Sequence, residues 1–206
     1  MNIPSSSAPS NPHHEQIIEL IEEGSRVLDL GCGNGDLLQA LTQHKSVRAE
    51  GIELSEECIQ ACVARGLLNV HQGNLDEGLT NYPDKCMDYV ILANTIQVIH
   101  RPLFLIREMM RVGKKSIISL PNFAHWSLRI QLLFTGRMPK TPALPYEWYE
   151  SPNIHLTTLA DFRDLCDKAG LRILKEIPLH GKSSGGFRKV CCLANLMADS
   201  AIYVVE

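Results

Sequence analysis

No apolar run in the sequence is long enough to cross a bilayer, which excludes a helical membrane span. Nor is there an excess of charge: 20 Lys and Arg face 23 Asp and Glu, a net charge of −3. Such a chain has no bulk attraction to nucleic acid or to anionic membranes, so neither is an expected partner. The seven cysteines are odd in number and form no disulfide framework, which fits reduced thiols and a cytoplasmic setting. Cys58 and Cys62 stand four apart and would share a helix face, but no second ligand pair accompanies them. They read as small core residues, and no metal site is expected. The opening residues lack the basic and apolar parts of a secretion signal and read as a disordered Ser/Pro leader over 1–14. Also missing is Gly-x-Ser-x-Gly, the elbow that carries an acyltransferase nucleophile.

What is present is an ordinary globular composition, 45% apolar over 206 residues, enough for one domain spanning 15–206. A helix with Ile17, Ile18 and Ile21 on one side is expected over 15–22. Five short apolar runs then alternate with helical patterns: RVLDL, VRAEGIEL, NVHQGNL, MDYVILANTI and KKSIISLP. Ser55 can cap the helix after the second run. Leu103, Ile106, Met109 and Met110 would form the inner face of the helix before the fifth. This alternation predicts an α/β fold with a doubly wound, mainly parallel sheet of Rossmann-like type. LRILKEIPL and ADSAIYVVE would add an antiparallel hairpin at the sheet's edge, joined by a glycine-rich loop.

The first run leads into LDLGCGNGD, where Gly31, Gly33 and Gly35 alternate. A strand-to-helix turn of this kind offers backbone N–H groups to a ligand, and glycine allows close approach. A nicotinamide fingerprint needs a glycine three places after Gly33, where Asp36 stands. Asp29, two residues before Gly31, would repel a pyrophosphate and suit a cationic ligand, or else brace the loop. Glu53 ends the second strand, where a carboxylate can accept hydrogen bonds from ribose hydroxyls. A ribose, a cationic group and no pyrophosphate describe S-adenosylmethionine.

VLDLGCGNG with GIELS resembles the class I S-adenosylmethionine-dependent methyltransferase superfamily. The resemblance implies that fold and that cofactor, or its product S-adenosylhomocysteine. It assigns Asp29, Gly31, Cys32, Gly33, Gly35, Glu53, Leu54, Asn74, Leu75 and Asn94 to the cofactor site. Gly73, Asn74 and Leu75 match the adenine-contacting segment, with Asn74 where aspartate is usual. Asn94 matches the position bordering the methyl donor.

Aromatic residues make up only 6% of the chain, yet both tryptophans fall in a Pro-rich segment, about 121–157. PNFAHW, GRMP, LPYEWY and SPNIH occur there in order. These stretches resemble the MetW family of methionine-biosynthesis proteins, over nearly the whole chain from Arg26 to Val205. That family acts with homoserine O-acyltransferase of the MetX type, which the resemblance implies as the partner. The segment would lie over the carboxyl ends of the strands, lining a pocket, anchoring a partner or stapling itself to the sheet. His100, His125 and His155 are candidate bases, but none sits in a motif that names a reaction, and the catalytic residues stay unassigned. Two functions remain open: an S-adenosylmethionine-binding accessory protein of methionine synthesis, or a small-molecule methyltransferase.

Overall fold

A computed structural model describes residues 12–140, 147–181 and 187–206. In chain order its elements are α1 (Pro12–Leu20), β1 (Arg26–Leu30), α2 (Asp36–Lys45), β2 (Arg48–Glu53), α3 (Glu56–Ala64), β3 (Val70–Gln72), β4 (Met87–Ala93), α4 (Pro102–Val112), β5 (Gly113–Pro121), α5 (Trp126–Thr135), α6 (Leu159–Ala169), β6 (Ile173–Gly181), β7 (Phe187–Lys189), α7 (Ala194–Met197) and β8 (Ser200–Val205). The strands form one sheet in the order β3-β2-β1-β4-β5-β8-β6-β7. β1 to β5 pair in parallel, and β8 runs antiparallel to both β5 and β6. The order reverses direction between β1 and β4. Doubly wound sheets open their ligand crevice at that point, beyond the carboxyl ends of the strands.

Alternation along the central strands supplies both cores. Leu28, Leu30, Val90, Leu92, Ile118 and Leu120 pack with α4 and α6 through Leu105, Met109 and Phe162. Their neighbours Val27, Tyr89, Ile91 and Ile117 face the other way, against Ile17 of α1, Ile21 just after it, and Leu37 and Leu41 of α2. Successive side chains leave a strand on opposite faces, so a sheet covered on both sides needs apolar runs without interruption. Each fully buried Leu or Ile contributes roughly 1.5–3 kcal/mol.

Local signals set several ends. Ser55 accepts from the Cys58 N–H at the start of α3, and Thr158 caps α6 by accepting from Asp161 N–H. Gly170 ends α6 in the left-handed region. On α4 the buried residues are Leu105, Ile106, Met109 and Val112. Leu103 and Met110 are only partly buried. Pro102 fixes the first turn, and the stripe through 105, 109 and 112 follows the helical period from there.

One expectation changes. α1 begins at Pro12 and ends at Leu20, earlier than expected at both ends, and residues 1–11 of the expected leader lie outside the described residues. The late strands form the expected antiparallel pair at that side of the sheet, with β8 as the inner strand between β5 and β6 and the short β7 outermost. All six residues of β8 are buried. Such a strand needs neighbours on both sides and covered faces, which an edge cannot offer. The glycine-rich joining loop, 182–186, lies outside the described residues.

The segment after β5 is pinned by Asn122, which is 2% exposed. Its amide donates to the carbonyls of Asn195 and Ala198 and accepts from the N–H groups of Ala124 and Leu159. Beyond α5 the chain runs irregularly to α6, with Tyr146 among residues 141–146 that fall outside the described residues. Ile154 and His155 donate backbone bonds to the Gln97 carbonyl, and Phe123 to that of Thr157. Leu133, Phe134 and Trp148 remain about three-quarters exposed, at 75%, 79% and 74%. No helix among the described residues is long and apolar enough to cross a membrane.

Candidate functional site

The glycine loop hangs from the end of β2. Gly31 and Cys32 both donate backbone N–H groups to the Ile52 carbonyl, at 2.8 and 3.2 Å. Gly31 has φ +71°, and a side chain there would meet Thr95 Cγ2 at 2.8 Å, so this position requires glycine twice over. Gly33 has φ +53°, but nothing lies within 4 Å of where its Cβ would stand. The conformation demands glycine while the space in front of it is free, which is how a loop admits a ligand to its backbone.

Glu53 reaches across to this loop. One of its carboxylate oxygens, Oε2, accepts from Gly33 N–H at 2.8 Å; the other, Oε1, accepts from Leu54 and Ser55 N–H at 2.8 and 3.0 Å. A carboxylate has about four lone-pair sites. Three are occupied by the loop and the α3 entry, leaving room on Oε2 for a hydroxyl donor. The carboxylate is thus a brace for the loop as well as a candidate acceptor.

Asp29 lies on β1 beneath the loop and is 2% exposed. Its Oδ1 has no hydrogen-bond partner among the described residues. Burial, and secondly the charge of Glu53, push its carboxyl up to about 7. A buried acid with an orphan oxygen calls for a partner that carries donors and positive charge.

The other expected residues take varied places. Cys32 and Cys62 pack with Leu38 in a small cluster under the loop, and burial pushes the Cys32 thiol up. The Cys62 thiol donates to the Gly33 carbonyl at 3.2 Å, so it supports the loop from below. A side chain on Gly35 would collide with Leu67 and Cys62. Leu54 is 64% exposed, an apolar surface beside Glu53. Asn74 follows Gly73, whose N–H binds the Glu53 carbonyl. Its side chain accepts from Asp76 N–H and donates to Glu77, capping a single 3₁₀ turn, Leu75–Glu77. Leu75 sinks its side chain into the core. Asn94 holds φ +52° at the end of β4, with its N–H on Ser119 Oγ at 3.0 Å. A cleft of about 540 Å³ lined by Glu50, Ile52, Gly73, Asn74 and Tyr82 opens nearby, but Asp29, Gly33 and Glu53 do not line it.

Of the three candidate bases, His100 is exposed and His155 is half-buried. His125 is buried, within 3.4 Å of Asp199, and its ring stacks on His180 with centroids 5.5 Å apart. His180 and Asp199 escaped the sequence reading, because three residues spread over 75 positions form no local pattern.

The model of the family described as "Methionine biosynthesis protein MetW" matches residues 11–205. The chain belongs to the MetW family. A curated relative from Rhodopirellula baltica, the bifunctional methionine biosynthesis protein MetXA/MetW, is 40% identical over 179 residues. The match covers 81% of this chain but only 28% of that protein, so a MetW-family chain of this length spans little more than a quarter of it. Among solved structures, a SAM-dependent methyltransferase from Archaeoglobus fulgidus superposes with a TM-score of 0.68 at 17% identity, covering 94% of this chain and 90% of that one. An S-adenosylmethionine-dependent methyltransferase from Mesorhizobium loti gives 0.68 at 14% identity, covering 97% and 98%. At such identities the likeness shows the fold, and the fold is that of the class I methyltransferases. This MetW-family member therefore carries a methyltransferase architecture in a methionine-biosynthesis family.

Proposed function

We propose that the chain binds S-adenosylmethionine or S-adenosylhomocysteine at the glycine loop and acts on homoserine O-acyltransferase in methionine synthesis. The observation that carries the ligand is Asp29, a buried carboxyl with an orphan oxygen under a glycine loop whose Gly33 backbone is open to approach. The residues fit the cofactor. Asp29 offers charge to its ammonium, the remaining lone pair of Glu53 takes a ribose hydroxyl, and exposed Leu54 offers a surface for the adenine. When bound, S-adenosylmethionine supplies an electrophilic methyl group. The chain's own residues hold and orient it, and Glu53 joins ligand to loop through one carboxylate.

Two observations support the partner. The Rhodopirellula baltica relative joins MetXA and MetW in one protein, which makes a contact between the two natural. Leu133, Phe134 and Trp148 give the segment after β5 an exposed apolar surface suited to burial against another protein. Acyltransferase activity, measured with the chain present and absent and S-adenosylmethionine varied, tests both parts. A change that depends on the chain and responds to the ligand is expected. No co-purification and no change in activity would overturn the reading.

A second reading, a small-molecule methyltransferase, draws on the strained Asn94 at the end of β4, where backbone strain often accompanies function. Transfer of labelled methyl to a metabolite extract would favour it over the accessory role.

A further inference from the structure

The carboxyl ends of β5 and β6 converge on Asp199, the residue before β8. Its carbonyl accepts from Asn122 N–H at 2.7 Å, and its own N–H donates to the Leu179 carbonyl at 2.9 Å. Asp199 is thereby clamped between the two strands that flank β8. Each strand delivers an imidazole beside it. His125 N–H bonds the Asn122 carbonyl at 3.3 Å, and His180 directly follows Leu179 on β6.

His180 Nδ1 lies 2.9 Å from Asp199 Oδ2, and His125 Nε2 lies 3.4 Å from Oδ1. Despite this closeness, neither nitrogen has a hydrogen-bond partner in proper geometry among the described residues, and both atoms are shielded from solvent. The three ligand atoms lie within 4.8 Å of one another. Shielded polar atoms gathered this closely, yet not bonded to each other, need something shared between them. We propose that His125, His180 and Asp199 bind one divalent transition-metal ion.

The chemistry of the set fits. Two imidazoles and a carboxylate are borderline ligands suited to zinc, iron or cobalt, and three protein ligands leave open positions. With metal–ligand bonds of about 2.0–2.1 Å, ligands sit about 2.9–3.4 Å apart in octahedral or tetrahedral geometry. His180 approaches Oδ2 and His125 approaches Oδ1 of the same carboxylate, so each imidazole stands at such a distance from one of its oxygens. Outer partners are also in place. His125 Nδ1 is 2.8 Å from Ser127 Oγ, and Gly181 N–H donates to Asp199 Oδ2 at 2.8 Å. Partial exposure of His180 and Asp199 gives an ion a way in. Bound there, the ion would tie the N-cap of α5 to the β6–β8 pair, at the same end of the sheet as the glycine loop.

Equilibrium dialysis of the tag-free full chain against Zn²⁺, with metal counted by mass spectrometry, tests this. One ion per chain is expected, with affinity at least about tenfold weaker in His180→Ala and in Asp199→Asn. The exposed neighbours Cys191 and Cys192 are the competing ligands, so a Cys191→Ser/Cys192→Ser variant should bind like the parent. Co²⁺ should give d–d bands without thiolate charge transfer. Zn²⁺ should raise the melting temperature of the parent and leave that of His180→Ala unchanged, which also reports whether the variant folds. Failure of the parent to bind would overturn the proposal. So would loss of binding only in the cysteine variant, or undiminished binding in folded His180→Ala or Asp199→Asn.

Discussion

Replacing Asp29 with Asn should stabilise the ligand-free protein, and more so as pH rises. Asp29 ionises near 7 in the folded chain, against 3.8 as an ordinary carboxyl. Between those values the folded state keeps a proton that the unfolded state has released, so stability falls as pH rises through the window. Each pH unit is worth about 1.4 kcal/mol, so the ceiling on this cost is about 4 kcal/mol at pH 8. His13 acts in the opposite sense. Burial, with help from His14, lowers it to about 4, so it contributes stability above its ordinary value that is lost as pH falls through that window. The two slopes oppose each other in the parent, and a raw stability–pH curve would conceal both. The difference between parent and Asp29→Asn isolates the carboxyl. Urea denaturation from pH 5 to pH 8.5 should show the variant's advantage growing up to about pH 7 and then levelling. A difference that stays constant across that range would refute a buried, neutral Asp29.

Further outcomes follow from the same geometry. Calorimetric titration with S-adenosylmethionine at pH 6.5 should release about three-quarters of a proton as a cationic ligand ionises Asp29, visible as a heat that varies with the buffer; a buffer-independent heat would exclude that pairing. Glu53→Ala should weaken S-adenosylmethionine binding about 10- to 100-fold and, by orphaning three backbone N–H groups, lower stability by about 1–3 kcal/mol, read by titration and urea denaturation. Gly33→Ala should cost about 1–2 kcal/mol for its left-handed φ and weaken ligand binding beyond that, because the new Cβ occupies the free space. Asn122→Ala should cost about 2–4 kcal/mol in thermal denaturation, since two carbonyls and two N–H groups lose a buried partner.

The parallel half of the fold was legible because its signals are local. β1, β4 and β5 each hold a mostly apolar stretch, and several of the turns between strand and helix carry their own glycine or cap. Ser55 and Gly170 sit where their chemistry places them. β8 was harder to place. Its apolar character is plain in the sequence, but a position between β5 and β6 is a relation among segments some eighty residues apart. At the site, the glycine spacing and Asp29 could be read from β1 and its turn, and Glu53 from the end of β2. That Glu53 also braces the loop could not, since it depends on where the Gly33 N–H points. The grouping of His125 with His180 and Asp199 depends wholly on β8 entering the sheet, so it appears only once the topology is known.

The position of β8 also orders events in synthesis. β1 to β5 pair among themselves, so the glycine loop and Glu53 can assemble while the chain is still on the ribosome. β6 borders only β8 and β7, so it has no place in the sheet until residues 200–205 emerge. The nascent chain thus passes through a stage with an open β5 edge, where the backbone of 116–121 is free to pair with another strand. Quality control acting on this protein would meet a half whose strands are already paired beside a half that waits for β8.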